Sequence, residues 1–294
     1  MSAIAFWGAV ELGLVYGFVA LGVFLAFRVL DFPDLTVDGS FPLGAAVAAV
    51  AITSGWDPWL ACLIAALAGA ACGLVTAFLN VRFGILNLLA SILTMIGLFS
   101  VILRVMGRPN MAVLNQETVI TPFLDLGLPD HIVRPLVLAV LVLIAVVLLA
   151  RFLGSDFGLA MRAAGANPRM ARANGVNVGG QIYVGMALSN ALTGLGGALF
   201  AQVSGFADVT SGVGTIVVGL ASVIVGETLL RSRVMLVALL ACVIGSVIYR
   251  VAVQLALSMD LFFLRASDLN LVTAVLVALA LVLPKIRAGK AVAR

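Results

Sequence analysis

Long apolar segments, separated by short polar ones, are the feature that most limits how this 294-residue chain can fold. A helix needs roughly 20 apolar residues to cross a bilayer, and the chain contains about nine candidate segments. They are residues 5–30, 40–54, 58–80, 86–106, 133–153, 180–203, 213–230, 234–256 and 268–284. Long unbroken apolar runs do not suit the alternating strands of a barrel, so we expect an all-α polytopic membrane protein with about 8–10 transmembrane helices.

The composition excludes a soluble domain, because 63% of the residues are hydrophobic and only 10% are charged. We expect residues 1–294 to form a single transmembrane domain. The three cysteines lie in apolar segments without metal-ligand spacing and are predicted to be packing residues (Cys62, Cys72 and Cys242). The only histidine, His131, is predicted to be a solvated residue of an outer loop over 107–132. We expect no metal site and no nucleic-acid partner.

A polar island at residues 156–180 interrupts the apolar background. Arg162, Arg169 and Arg172 lie in it with little opposing acid, so the positive-inside rule predicts that the island faces the cytoplasm. This topology places twelve of the seventeen Lys and Arg on the cytoplasmic side, including those of a tail over 285–294. It also places the N-terminus outside. Three outer basic residues have two interpretations, as part of a surface that receives a binding protein or as ordinary helix-flanking residues. They are Arg108, Arg134 and Arg265.

The island also carries the signals of one short helix. Asn167 suits the N-cap, Pro168 the first helical position, and Gly175 a left-handed turn that ends the helix. We therefore predict a helix from about residue 167 to residue 174, inside a cytoplasmic loop over 155–179.

The spacing of these residues resembles a motif of the permease subunits of ATP-binding-cassette importers of the branched-chain amino acid and ribose type. In that family, G-x-N-P-x-x-A-R-x-x-G-[IV]-x-V marks the coupling helix that docks on the ATPase. The resemblance implies a coupling role for Gly165, Asn167, Pro168, Arg169, Ala171, Arg172 and Gly175. Arg169 and Arg172 would pair with acidic residues of the ATPase, and a turn at Gly165 would allow close approach.

Two further stretches, DFPDLTVDGSFPLGA and ASVIVGE, extend the resemblance over essentially the whole chain. They are similar to a branch paired with tryptophan- or tyrosine-type binding lipoproteins. Branched-chain amino acid permeases usually read like N-F-A-H-G at the first stretch, and this departure argues against leucine or valine as the solute. The resemblance implies a homodimer in the bacterial inner membrane, served by a periplasmic or lipid-anchored binding protein. Separate ATPase subunits would use the ATP, and this chain would bind no cofactor and catalyse no reaction.

Two polar breaks precede the short apolar segments 40–54 and 213–230. Both contain Asp, an aliphatic residue and Thr, and in the predicted topology the two segments run in opposite directions. This pattern is typical of an inverted repeat with discontinuous helices, whose free backbone groups line a cavity or pack in protein. The breaks therefore supply candidates for the translocation pathway, with ordinary interfacial turns as the alternative. The candidates are Asp34, Thr36, Asp38, Ser40, Asp208, Thr210 and Ser211.

Other polar residues inside apolar runs have two interpretations. Glu227 precedes Arg231 by one helical turn, and the two charges could neutralise each other, whereas Glu11 has no partner in sequence. Another set either contacts solute or bonds neighbouring helices (Asn87, Ser91, Thr94, Ser189, Asn190 and Thr193).

An ion-coupled secondary transporter or a channel is the alternative to the importer, because inverted repeats and broken helices suit both. The chain has neither a G-x-x-x-x-G-K-[ST] loop nor H-E-x-x-H, so we expect no nucleotide hydrolysis or metalloprotease activity of its own. The polar island separates the two main alternatives, since an ion-coupled carrier needs no capped docking helix.

Overall fold

A computed structural model describes residues 3–124, 129–230, 232 and 234–258. The helices are α1 (Ala3–Val23), α2 (Val37–Thr53), α3 (Pro58–Phe83), α4 (Asn87–Met106), α5 (Thr121–Leu124), α6 (Asp130–Gly154), α7 (Asp156–Ala166), α8 (Pro168–Ala173), α9 (Val178–Ser204), α10 (Thr215–Leu229) and α11 (Met235–Ser258). A π-helical turn, Phe24–Val29, extends α1, and a 3₁₀ turn, Val209–Gly212, precedes α10. Two short strands, β1 (Asn110–Ala112) and β2 (Phe206–Asp208), pair antiparallel.

Seven helical segments within the described residues are long and apolar enough to cross a membrane. They are Ile4–Val29, Pro58–Phe83, Asn87–Met106, Asp130–Gly154, Val178–Ser204, Val209–Leu229 and Met235–Ala256. The helix α2 is apolar but shorter. The all-α polytopic fold is therefore confirmed, and every predicted segment before 268–284 coincides with a helix. The segment 268–284 and the tail 285–294 lie outside the described residues.

The helix α1 is central, because 78% of its most apolar stretch is buried, against 28% for α4. Large apolar side chains on α3, α4 and α6 point outward, as expected for helices that face lipid.

The structure tests two predictions about single residues, those for the cysteines and for His131. The three cysteines are buried and free, as predicted. His131 is exposed but lies in the first turn of α6, so its placement in a loop was wrong. The segment 130–132 is helical because Asp130 suits the positive end of a helix.

Glycine contacts fix the directions of the long helices. Gly22 of α1 lies against Ser189 of α9, while Gly196 lies against Phe18, so α1 and α9 are antiparallel. By the same reasoning α3 is antiparallel to α9, because its residues meet those of α9 in reverse order. The pairs are Ala65 with Gly194, Gly69 with Asn190 and Gly73 with Met186.

The two short helices, α2 and α10, run in opposite directions. A tight connection at residues 54–57 joins α2 to α3, and Thr36 at the other end of α2 contacts Thr76, so α2 is antiparallel to α3. The glycines Gly226 and Gly245 show that α10 is antiparallel to α11, which in turn is antiparallel to α1. These directions agree with the opposed orientation expected at the sequence level, whereas a repeat of the complete halves stays a prediction.

The bundle has two ends that the later sections use. At the ribbon end, β1 and β2 pair with Asn110 opposite Asp208. At the α8 end, the short helices α7 and α8 join α6 to α9. Because α9 begins beside α8 and ends beside β2, the two ends are separated by the length of that helix.

Glycine at position 69 permits direct backbone contact between α3 and α9, which generates a prediction. A methyl group on Gly69 would collide with the carbonyl oxygen of Asn190, so Gly69→Ala should lower the free energy of unfolding by about 1–3 kcal/mol. Gly97 of α4 has open space around its Cα, and Gly97→Ala should be neutral or stabilising by up to about 1 kcal/mol. Thermal unfolding in detergent measures both. Equal melting temperatures for the two variants would contradict the packing.

Candidate functional site

The helix α8 forms where the sequence predicts it. The Asn167 side chain accepts a hydrogen bond from the Met170 backbone N–H at 3.0 Å, and Pro168 occupies the first helical position. The helix ends at Ala173, and Gly175 follows with a φ of 83°. Residues that have a Cβ atom rarely adopt such a φ, so this position favours glycine.

The polar island contains two helices, so the expectation of a single helix was wrong. The second helix, α7, begins after Ser155, whose side-chain oxygen accepts a hydrogen bond from the Gly158 N–H at 3.3 Å. The sequence of α7, DFGLAMRAAGA, is rich in alanine, the strongest helix former. Both the cap and the alanine content were visible in the sequence.

The helix α8 has an exposed polar face and a buried apolar one. Asn167, Arg169 and Arg172 are exposed, and Met170 is 65% exposed between them. Ala171 is 4% exposed and packs in a small apolar cluster with Ala164 of α7 and Val178 of α9. The basic face therefore points away from the bundle, while the other face fixes α8 to its neighbours.

The residue Gly165 connects α7 to the end of the central helix. It lies in the last turn of α7, where a methyl group would collide with the carbonyl oxygen of Val29. The predicted turn that would let an ATPase approach at Gly165 is therefore corrected. The close approach at this glycine is made by the chain's own π-helical turn, because α7 folds back onto it.

Next to this contact, an ion pair joins α1 and α10. The Nε of Arg28 lies 2.7 Å from Oε1 of Glu227. The two side chains are 64% and 32% exposed, so the pair contributes at most about 1 kcal/mol. Glu227 thus has a partner on another helix, while Arg231, its predicted partner, lies outside the described residues.

The first polar break is buried in the core of the bundle. Asp34, Thr36 and Ser40 are all completely buried. Asp34 accepts hydrogen bonds from the Thr36 N–H at 2.9 Å and from Nδ2 of Asn190 at 2.8 Å. Ser40 donates to Oδ1 of Asn190 at 2.8 Å. These three pathway candidates are therefore brought together and buried in this conformation, and Asp34 and Ser40 are hydrogen-bonded to Asn190 of α9.

A chain of threonine hydroxyls extends this network. The Oγ1 atoms of Thr36 and Thr76 are 2.7 Å apart, and those of Thr76 and Thr94 are 2.9 Å apart. Thr76 was missed at the sequence level, although it is a polar residue within the apolar run of α3. Asn190 and Thr94 bond neighbouring helices here, and Ser189 does so by donating to the carbonyl oxygen of Gly22 at 2.8 Å.

The second break lies at the ribbon end and is more exposed than the first. Asp208 accepts a hydrogen bond from the Thr210 N–H at 2.7 Å and from Nδ2 of Asn110 at 3.1 Å. Ser211 donates to the carbonyl oxygen of Asp208 at 2.7 Å. Asp34 and Asp208 therefore form the same local turn, in which an aspartate side chain accepts from the amide two residues later.

The pKa of the Asp208 carboxyl lies below its ordinary value. Partial burial acts to raise the pKa, but hydrogen bonds from the Thr210 side chain and backbone and from Asn110 outweigh it. These bonds favour the charged form. Their contribution to stability is present above the ordinary carboxyl pKa and is lost as the pH falls through the lowered pKa.

The two breaks meet at Asp38. Its carboxylate accepts hydrogen bonds from the Ile216 N–H at 2.7 Å and from the Gly214 N–H at 3.3 Å. Gly214 is the N-cap of α10 and has no side chain to cap the helix, so Asp38 of α2 supplies the acceptor. A carboxylate is also favoured by the positive end of a helix.

Proline and glycine allow this close approach. Pro42 has no N–H, so the carbonyl oxygen of Asp38 lacks its helical donor. Gly212 packs directly on that carbonyl, because a methyl group at Gly212 would collide with it and with the Pro42 ring. The pathway candidates thus divide into a buried group at the start of α2, a junction at Asp38, and a surface group at the ribbon end.

A cavity of about 210 Å³ opens at the ribbon end, beside the segment that follows β1. Its wall includes Thr118, Thr121, Arg134 and Gln202. Of the outer basic residues named from the sequence, Arg134 borders this cavity and Arg108 is exposed, while Arg265 lies outside the described residues.

A polytopic helical bundle in which two short apolar helices of opposite direction, α2 and α10, meet at Asp38 has the architecture expected of a membrane transport protein. The family model described as "Branched-chain amino acid transport system / permease component" matches residues 8–284. The chain therefore belongs to this permease family, as its sequence motifs predicted. It is the permease component of an ATP-binding-cassette transport system.

Two relatives are similar over most of the chain. A tyrosine transport system permease protein of Clostridioides difficile is 37% identical over 265 residues, which cover 90% of this chain and 86% of the relative. An uncharacterised protein of Rickettsia prowazekii is 35% identical over 257 residues, covering 85% and 88% of the two chains.

A solved structure shares the fold. It is PsaBC from Streptococcus pneumoniae in complex with a Fab, with a TM-score of 0.50 and 16% identity. The match covers 94% of this chain and 89% of that one. At this identity the likeness concerns the fold alone.

The capping of α10 by Asp38 generates a prediction about local stability. In Asp38→Ala, amide exchange at Gly214 and Ile216 should become roughly fivefold faster, because loss of a cap costs about 1 kcal/mol. Hydrogen exchange followed by mass spectrometry measures this. Asp57→Ala is the matched control, since Asp57 caps its own helix through the amides of Trp59 and Leu60. The junction would be contradicted by faster amide exchange at the start of α10 in Asp57→Ala. It would also be contradicted by an unchanged exchange rate at Gly214 and Ile216 in Asp38→Ala.

Proposed function

We propose that this chain is the membrane permease of an ATP-driven importer that passes an amino acid or a related small solute into the bacterial cytoplasm. The match to the permease family over residues 8–284 carries the proposal. The relative from Clostridioides difficile, named for tyrosine transport, supports an amino acid as the solute. The chain would reside in the cytoplasmic (inner) membrane, with the α8 end inside because most basic residues fall there. Family membership favours this role over an ion-coupled carrier or a channel.

The ATPase would dock on α8. Arg169 and Arg172 are exposed on a face that no part of the described chain covers, and guanidinium groups suit paired contacts with carboxylates. Asn167, Pro168 and Gly175 hold the two ends of the helix, and Ala171 anchors it to α7 and α9. The permease itself would bind no cofactor, since the ATP would be used in the ATPase subunits.

The contacts described above would provide a route for mechanical work from α8 to the short helices α2 and α10. A displacement of α8 acts on α7, whose Gly165 lies against Val29 at the end of α1. The neighbouring Arg28 holds Glu227 at one end of α10. The other end of α10 is held by Asp38 of α2. The helices α2 and α10 would therefore respond to the ATPase together.

The translocation pathway would open between α2, α10 and α9. Asp34, Thr36 and Ser40 are buried and hydrogen-bonded inside the bundle in this conformation, so the proposed pathway would be closed at these residues. Separation of α2 from α9 would expose their polar groups to solute. Asp208, Thr210 and Ser211 would line the approach at the ribbon end, where a periplasmic or lipid-anchored binding protein would deliver the solute. Two copies of the chain would form the complete membrane unit as a homodimer.

Charge reversal on α8 tests the docking proposal. Arg172→Glu should leave the amount of folded protein in the membrane unchanged and reduce ATP-dependent uptake at least about tenfold, because a like charge would face the acidic partner. ATPase activity should continue without transport. Uptake of labelled solute into proteoliposomes that contain the complete importer measures the effect.

Arg151→Glu is the matched control for this experiment. Arg151 is exposed in the last turn of α6, at the same end of the bundle but outside α8. It should import like the wild type. Normal uptake by Arg172→Glu, or equal losses in the two variants, would remove α8 from the docking role.

A further inference from the structure

Four aromatic side chains form a continuous series from the ribbon end into the core. Phe206 of β2 is 39% exposed, and its ring centroid lies 6.2 Å from that of Phe200 on α9. Phe200 lies 5.4 Å from Phe41 of α2, and Phe41 stacks on Tyr16 of α1 at 5.5 Å. Because Phe41 and Tyr16 are buried, the series connects the surface to the interior of the bundle.

The guanidinium group of Arg250 lies against Tyr16, the innermost ring of this aromatic series. The guanidinium carbon of Arg250 on α11 lies 3.9 Å from the centroid of the Tyr16 ring. The Nε of Arg250 is buried and has no hydrogen-bond partner among the described residues. Across the part of the chain that the structure describes, no carboxylate lies within ion-pairing distance of Arg250. A cation–π contact offsets part of the cost of burial but leaves the donors of the guanidinium available.

Ordinary core packing accounts for the aromatic rings but not for the arginine. A buried donor without an acceptor is unfavourable, and charged residues within membrane helices are uncommon outside functional positions. An aliphatic side chain at position 250 would cover the Tyr16 ring without that cost. The arginine and the rings together match a ligand that has an aromatic group and a carboxylate.

The aromatic series lies beside the contacts that α2 makes with α9 and α10. Phe41 is adjacent to Ser40 in the buried polar network and lies one turn from Asp38, which caps α10. The carbonyl of Phe41 packs directly on Gly197 of α9. Any separation of α2 from α9 therefore opens the stack between Phe41 and Phe200.

We propose that this series, defined as Phe206, Phe200, Phe41, Tyr16 and Arg250, is the binding site for an aromatic α-amino acid in transit. The proposal rests on the proposed function and narrows its solute to one chemical class. The ring of the solute stacks among Phe200, Phe41 and Tyr16, and its carboxylate accepts hydrogen bonds from Arg250. In the conformation described here, the rings of Phe200, Phe41 and Tyr16 contact one another and occupy the space that the ring of the solute would take.

Binding of labelled tyrosine and labelled tyramine to the permease–ATPase complex, purified from its native membrane into nanodiscs, tests the site. Tyramine has the same ring but no carboxylate. The wild type should bind tyrosine at least about tenfold more tightly than tyramine, since a carboxylate pairs bidentately with arginine. Arg250→Gln should bind the two compounds alike, and Arg250→Lys should fall between these results. Loss of packing alone would weaken both compounds equally.

Matched controls lie on the lipid-facing helix α4. Arg104→Gln removes an exposed arginine near the ribbon end, and Phe99→Leu removes a ring that is 50% exposed. Both should retain the wild-type preference for tyrosine, whereas Phe200→Leu should weaken tyrosine binding about tenfold. Wild-type preference in Arg250→Gln would overturn the site.

Uptake by the complete wild-type importer separates this inference from the proposed function. ATP-dependent import of tyrosine, together with the variant results above, supports both. Import of another solute without any tyrosine uptake overturns the aromatic site and leaves the importer assignment intact. A chain that purifies without an ATPase and moves solute with an ion gradient overturns the proposed function itself.

Discussion

The hydrogen bonds from the first turn of α10 to Asp38 are the interaction on which the centre of this protein depends. Within a bilayer, backbone amides at the start of a helix have no water to bond, so a helix that begins there must find its acceptors elsewhere in the protein. Asp38 provides that acceptor for α10 from a position more than 170 residues earlier in the chain. The same contact joins α2 to α10, so the acceptor that satisfies the first amides of α10 also holds these two helices together.

Small residues make the remaining connections possible. Direct backbone contact at Gly197, Gly69 and Gly165 brings α2, α3 and α7 against their neighbours without intervening side chains. Helices in lipid associate through such close packing rather than through hydrophobic burial. At Gly165 the contact serves a second purpose, because it places the base of α8 against the central helix. The fold therefore links its surface helix to its core through backbone rather than through long, mobile side chains.

Local signals in the sequence were sufficient for α8 and for the membrane segments. Asn167, Pro168 and Gly175 act through bonds and dihedral angles within a few residues, so their roles can be predicted without neighbours. The same local reasoning was incomplete for α7, where the Ser155 cap was overlooked, and it assigned Gly165 to a turn. It also could not find the Arg28 partner of Glu227 or the Thr76 link, because both depend on helices distant in sequence.

The sequence by itself determined the class of protein, the position of its membrane-spanning helices and the family motif of α8, because apolar length, helix caps and residue spacing are properties of short segments. The tertiary structure alone decided what the polar breaks do. Asp34 and Asp208 form the same local turn, yet one is buried beneath α9 and the other lies at the ribbon end. That difference arises from helix packing, which brings together residues whose separation along the chain carries no signal of their contact.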